Sequence, residues 1–300
     1  MEASFDQADK RVEEHYGFIL PVSAVASVSR KHAGAIAARQ EAREGANSLP
    51  AKGAPAVVAE ADGSFLRIVS TDDGKPDRRR TRRVQYREVR LCAASAKGSR
   101  SIHYDATFSD VRAIAGLWSH TAKDAGMAMN SKVHIVADGA DWIHTEGGTA
   151  FGRQGSFLID LYHVLEYLHA AAPGCAAVPQ RWLTTQKKRL KNGHSKKVIA
   201  ELKKHIEPDA SPESESPVRR AWRYLDNRRD CLAYDLAKKQ ELPLGSGLIE
   251  SGNKHVLQAR MKIPGAAWNI QTGENFARAR ALRANGGWDA YWTEAAKAAA

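Results

Sequence analysis

The sequence predicts an α/β fold, a mixed sheet flanked by helices with an all-helical insertion before the last helical part. Three observations carry this. Short apolar runs of strand length recur before residue 160, and helical periodicity fills the stretches between and after them. Residues 178–242 then turn strongly charged, with hardly any strand signal. The 300 residues and their 43% hydrophobic share allow one large domain or two ordinary ones with a real core.

Taken in order, residues 1–50 form a polar helical segment. Phe5, Ala8 and Val12 recur at helical spacing, and VSAVASVSRKHAGAIAARQEAREG continues the pattern. Around YGFILP, a helix-turn-helix remnant and a plain helical lead-in both stay open. NSLPAKGAP, residues 47–55, reads as a linker. The sheet domain begins at 55 and its first part runs to 177. Strands are expected at Val57–Asp62 and Phe65–Ser70, either side of Asp62-Gly63, and at Val84–Ala94, where alternation marks a half-buried strand. A helix follows in SDVRAIAGLWSHTAKDAG, capped by Ser109 or Asp110, with Val111, Ile114, Trp118 and Ala122 on its apolar face. A fourth strand ends on Asp138. A fifth, SFLID, ends on Asp160 and runs into LYHVLEYLHAAA. The helical insertion spans 178–242, the final helical part of the core 243–292, and TEAAKAAA, 293–300, is a frayed tail.

The net charge of +11 makes a polyanion the expected partner, either nucleic acid or an anionic membrane. No stretch is apolar enough to span a bilayer, and the charged N-terminus has no signal-peptide segment, so no membrane partner is expected. Cys92, Cys175 and Cys231 lack any CxxC spacing, which predicts core filler in a reducing compartment and no structural zinc. The expected location is cytoplasmic, associated with the nucleoid. The basic run KPDRRRTRR, 75–83, serves as a solvated loop, a phosphate contact, or both. The best backbone-binding stripe lies in 186–205, with Lys187, Lys188, Arg189, Lys191, Lys196 and Lys197. Lys254, Arg260 and Lys262 are further phosphate contacts. Trp142, Trp182, Trp222 and Trp268 are either core or stacking platforms for unpaired bases.

Two phrases, AVVAEADGSFLRIV (56–69) and KVHIVADGADWIH (132–144), each close an apolar run on Asp-Gly. The plain reading is a pair of turns, since Asp and Gly both tolerate positive φ. The chemical reading joins Asp62 and Asp138 to Glu250, which opens a helix after Gly245-Ser246-Gly247. For Glu250 the plain reading is a first-turn acid that favours the helix dipole and pairs with Lys254. A carboxylate on the first strand, one after the fourth and one on a late helix is how the RNase-H-like fold builds an acidic metal site. Two Mg²⁺ ions about 4 Å apart serve phosphodiester chemistry, and Mg²⁺ takes hard oxygen ligands. Asp160 is read as a helix cap with a supporting role near the metals, and Asp141 as a helix-start acid. His163, with Glu166 at i+3, is a supporting or DNA-facing residue.

The phrases VVAEADG (57–63), VHIVADGADWI (133–143), FLIDLYHVLEYL (157–168), LPLGSGLIESGNKHVLQARMK (242–262) and ARALRANGGWDAYW (279–292) occur in this order. With them the sequence resembles the bacterial insertion-sequence DDE transposases of the ISKra-like group, distantly Mutator-like. The resemblance covers roughly residues 55–292. It implies an RNase-H-like core with Asp62, Asp138 and Glu250 as catalytic, metal-binding acids, and two Mg²⁺ ions for which Mn²⁺ substitutes. It also implies double-stranded DNA partners, namely transposon ends and target, and a homo-oligomer on DNA. The activity implied is metal-dependent cleavage at transposon ends followed by strand transfer. Members of the group carry a longer part before the first acid, so the N-terminal region here is read as shortened. That shortening supports one alternative, a truncated DNA-binding remnant without activity; a second alternative is an RNase-H-like nuclease that cuts but never joins.

Overall fold

The computed structural model describes residues 4–44, 48–72 and 74–299. The first three residues of the N-terminal segment, residue 47 of the linker and Ala300 of the tail lie outside the described residues. In chain order the elements are α1 (Phe5–Tyr16), α2 (Val22–Glu44), β1 (Ala56–Ser70), β2 (Arg83–Ala96), β3 (His103–Thr107), α3 (Ala113–Asp124), β4 (Lys132–Ala137), α4 (Asp141–Phe151), β5 (Gly155–Ile159), α5 (Leu161–Cys175), α6 (Pro179–Lys191), α7 (Ser195–Lys203), α8 (Pro217–Asn227), α9 (Tyr234–Lys239), α10 (Gly247–Gly252), α11 (Ala259–Met261), α12 (Ile270–Ala284) and α13 (Trp288–Ala299). A π-helical turn, Asn253–Gln258, joins α10 to α11. This is a mixed α/β fold whose five strands form a mixed sheet flanked by helices. Among the described residues, no helix is long and apolar enough to cross a membrane. The chain divides into two compact units. One is built from residues up to Ser131 together with Gly247 onward, the other from Lys132–Ser246.

In the first unit β1 and β2 pair antiparallel from Val57↔Ala96 to Ser70↔Arg83, and β2 pairs antiparallel with β3. Three expectations are corrected here. Asp62-Gly63 is not a turn and Asp62 does not end a strand. β1 runs straight through them, with Asp62 opposite Leu91 and Gly63 opposite Arg90. The apolar residues on both sides of Asp62-Gly63 find the same partner strand, so one long ladder satisfies both halves and the turn signal is overridden. The β1–β2 connection lies instead at 71–82, which contains most of the KPDRRRTRR run. The strand His103–Thr107 was not expected. It is set off from β2 by a turn at Gly98, which takes φ +80°. Residues 293–299, expected as a frayed tail, lie within α13. Alanines favour helix, and buried Tyr291 ties α13 down by a 2.7 Å hydrogen bond between its hydroxyl and His32 Nδ1.

The even-numbered side chains of β1 share one face. Leu66 and Ile68, with Val89, Leu91 and Ala93 of β2, pack there with Ala33 and Ile36 of α2 and with Phe276 and Ala277 of α12. The N-terminal segment is therefore part of this unit's core through α2. The cap of α3 also differs: Asp110 accepts from the Arg112 amide at 3.0 Å, and the helix starts only at Ala113 without a side-chain cap.

In the second unit β4 and β5 are parallel, with Ala137 opposite Ile159. The helices expected over 178–242 share one core with the elements before them. Val164, Leu168 and Ala172 of α5 join Trp182, Leu190, Val198, Val218, Ala221 and Leu225 of α6–α8. Buried positions 218, 221, 224 and 225 give α8 its helical stripe. Glu207 caps α8, accepting from the Val218 and Arg219 amides at 2.8 Å each. All three cysteines are buried and outside any disulfide.

Candidate functional site

Carboxylates gather in two places, one in each unit. In the first unit Glu60 and Asp62 stand on the helix-covered face of β1. Glu60 is fully buried and its Oε2 accepts the Ile249 amide of α10 at 2.9 Å. Asp62 is half-buried. Its Oδ1 accepts the Gly63 amide at 2.7 Å and its Oδ2 accepts Asn253 Nδ2 at 2.6 Å. The fit is close because Gly252 has no side chain. A Cβ there would lie 2.6 Å from Tyr104 Cε1 and 2.9 Å from Leu91 Cδ2. Glu250 sits between Ile249 and Asn253 on this same helix and is exposed. The strand of the first expected acid and the helix of the third are thus held together by two polar contacts. Asn253 sits at the start of the π-helical turn, where buried Arg280 donates to the carbonyls of His255 (2.5 Å) and Val256. Single π turns of this kind recur at functional sites.

In the second unit Asp138 follows β4 and Asp160 follows β5, at the carboxyl ends of parallel neighbours, where open α/β sheets bind ligands. Asp138 Oδ1 accepts the Ala140 amide at 2.9 Å. Gly139 takes φ +86°, and a Cβ on it would lie 2.7 Å from Tyr224 Oη and 2.9 Å from Arg228 Nε, so only glycine fits. Helix α8 clamps this turn: Tyr224 Oη donates to the Asp138 carbonyl, and Arg228 donates to the Gly139 carbonyl at 2.8 Å and to Asp141 at 3.0 Å. Burial raises the Tyr224 pKa, keeping the hydroxyl a donor. A cavity of ≈ 440 Å³ beside this turn is walled by Gly139, His144, Phe157 and Arg228.

Asp160 caps α5 and does more. Its Oδ1 accepts the Tyr162 and His163 amides at 2.6 and 3.3 Å, and its Oδ2 accepts Ser246 N at 2.7 Å and Ser246 Oγ at 2.5 Å. The segment leading to Glu250 is further fixed where Leu161 N donates to the Leu244 carbonyl at 2.8 Å and where His134 Nε2 meets the Pro243 carbonyl at 2.9 Å. Burial lowers the His134 pKa, which keeps this ring neutral. His163 faces Glu166 at 3.3 Å and the rings of Tyr167 and Tyr224.

The cationic residues separate into two kinds. Lys188, Lys196, Lys197, Lys254 and Lys262 are exposed, and Lys187, Arg189 and Lys191 are half-buried, Arg189 donating to Gln186 at 3.1 Å. Arg260 departs from the surface contact expected of it. It is only 4% exposed, with its guanidinium 4.9 Å from the Phe5 ring and 5.0 Å from that of Trp268. Trp182 and Trp268 are buried, which removes them as base platforms, while Trp142 and Trp222 are half-buried. Burial pushes the Cys92 thiol up to about 12 and the Cys175 thiol up to about 11, so neither is a poised nucleophile.

Asp62 and Glu250 in the first unit and Asp138 in the second each carry carboxylate oxygens, the ligand type Mg²⁺ takes. Asp62 already has one oxygen steered by Asn253. Among the described residues, however, no three His, Cys, Asp or Glu side chains stand gathered as a metal-binding group. Glu60, Asn253 and Ser246 were not singled out from the sequence. Glu60 and Asn253 flank expected acids by two and three residues, which is the only signal they gave.

Fold and site define an α/β protein with acids at the ends or on the faces of its strands and a basic exterior. The chain belongs to an uncharacterised protein family, UPF0236, whose family model matches residues 120–295. No curated protein and no solved structure matches it significantly.

Proposed function

We propose that this chain is a DDE-type transposase with an RNase-H-like core, cleaving DNA at transposon ends and transferring the freed strand to target DNA. The observation that carries this is the attachment of the Asp62 strand to the Glu250 helix through Asn253–Asp62 and Ile249–Glu60. The reading assigns Asp62, Asp138 and Glu250 to one reaction. Bound to these carboxylates, two Mg²⁺ ions (or Mn²⁺ in their place) would supply the acidity that activates a hydroxyl nucleophile and would stabilise the leaving oxygen. Asn253 orients the Asp62 carboxylate. Asp160 holds Ser246 through its amide and its hydroxyl. The exposed lysines of α6 and α7, with Lys254 and Lys262, hold the DNA backbone without reading sequence. The protein acts as a homo-oligomer on DNA, in the cytoplasm at the nucleoid.

The test pairs strand cleavage of a transposon-end duplex in Mg²⁺ or Mn²⁺ with thermal melting in their absence. Glu250→Gln and Asn253→Ala should both lose most cleavage, while Glu250→Gln melts like the parent and both retain DNA binding. Glu250→Gln cutting at the parent's rate would remove Glu250 from the mechanism. The same assay separates a second reading, a DNA-binding remnant without activity. A parent that binds duplex DNA and cuts none selects that reading. A parent that cuts but never joins strands selects a nuclease.

A further inference from the structure

In the first unit a cavity of ≈ 590 Å³ is walled by Phe5 of α1, Arg30 of α2, Arg260, the loop from Ile263 to Trp268, and Thr272 in the first turn of α12. Its size is that of a small-molecule site. Arg260 is the unusual wall residue. It is 96% buried, caged by Phe5, Trp268 and Phe276, and its Nε has no hydrogen-bond partner. An aromatic cage attracts the charge of a guanidinium but does not accept along its N–H bonds in the way an oxygen does. A buried cation without a counter-charge is costly to keep. Among the described residues lining this cavity there is neither Asp nor Glu. The surroundings add to the same field. Arg30 lies with its guanidinium 6.0 Å from the ring of Phe5, one of the three caging side chains, and is exposed at the rim. The positive end of the 15-residue helix α12 is also in the wall, through Asn269 and Thr272.

We propose that this cavity is an anion site that takes a terminal phosphate, carried either by a free nucleotide or by the end of a nucleic-acid strand. Arg260 is the buried partner and Arg30 the rim partner. A guanidinium matches phosphate through paired N–H donors, and the volume beyond the phosphate accommodates the attached nucleoside. The site is independent of the transposase reading, because neither Asp62 nor Glu250 lines it.

The experiment uses the full chain and one single-stranded oligonucleotide in 5′-phosphorylated, 3′-phosphorylated and unphosphorylated forms, with AMP as the free-nucleotide probe. Fluorescence anisotropy at fixed salt should show tighter binding of at least one phosphorylated form. Arg260→Met should reduce that advantage by roughly 10-fold or more, the size expected when a charged hydrogen-bond partner is lost. Arg30→Ala should reduce it partly. AMP competing as well as the strand end assigns the site to free nucleotides, and competition by the strand alone assigns it to strand termini. Equal binding of all three oligonucleotides by the parent overturns the proposal, as does an undiminished phosphate advantage in Arg260→Met. Should Arg260→Met fail to fold, Arg30→Glu on the exposed rim decides, since it must abolish the advantage.

Discussion

Replacing Asp160 by Ala removes a carboxylate that is 3% exposed and accepts four hydrogen bonds. Loss of the cap on α5 costs about 1 kcal/mol. Ser246 is itself buried, at 8% exposure, so its amide and hydroxyl lose their acceptor with little water to replace it. Each bond to a charged acceptor contributes roughly 1.5–3 kcal/mol, and such terms do not simply add. A loss of about 3–5 kcal/mol follows, which moves a melting transition down by roughly 6–20 °C at about 2–4 °C per kcal/mol. Two companions apportion it. Ser246→Ala deletes only the hydroxyl bond and should shift melting by about a third as much. Asp160→Asn keeps an oxygen for the helix amides but turns a donor toward Ser246, so it should fall between the two. Differential scanning calorimetry gives the transitions, and hydrogen exchange at the Ser246 amide locates the loss. An Asp160→Ala protein melting within about 2 °C of the parent would refute the four-bond account.

Three other outcomes are expected. Changing Lys187, Lys188, Arg189 and Lys191 together to Ala should weaken binding to unrelated duplexes alike and flatten the plot of log affinity against log salt by about 3–4; an unchanged slope would leave these residues as a merely solvated face. Burial lowers the His134 pKa, so as pH falls through about 6.5 the unfolded chain takes up a proton before the folded one does; stability should be full above that pH and decline below it, and His134→Gln, which keeps a donor for the Pro243 carbonyl, should flatten the decline in urea titrations run from pH 7.5 to 5. Gly252→Ala should cost roughly 1–3 kcal/mol by pressing a methyl into Tyr104 and Leu91, and a neutral result in denaturant melts would show that α10 shifts to accommodate it.

How legible was this in the sequence? The class of fold was, because alternation and helical periodicity report local burial directly. The number of strands was right through two compensating errors. Asp62-Gly63 was read as a break, which split β1 in two, while β3 went unread. In His103–Thr107 the polar Asp105 is buried and accepts the Ala106 amide, and only tertiary context permits that. Asp138 fell at a strand end as expected because Gly139 does need positive φ, whereas Gly63 is extended and the same dipeptide does different work. Of the acidic site, the sequence named residues but not their supports. Asn253 and Ser246 act through contacts that join residues 191 and 86 positions apart, and periodicity carries no trace of such pairings. Arg260 was misplaced for the same reason: its basic neighbours Lys254 and Lys262 are exposed, but helical phase turns it inward onto Phe5 and Trp268.

The first unit is discontinuous, and that has a consequence on the ribosome. Its strands β1–β3 and helix α2 are made early, yet Val256, Leu257, Phe276 and Ala277, which complete their core, belong to the last segment of the chain. The Lys132–Ser246 unit is continuous and is synthesised whole between the two halves. At about 5–20 residues per second, the early half waits on the order of 10–30 s with its apolar sheet face uncovered while the later unit completes its own core. Folding order is therefore the reverse of synthesis order, the unit begun second being closed first. During that interval Leu66, Ile68, Val89 and Leu91 form the surface on which a chaperone would act, and a chain released before residue 277 would aggregate through them.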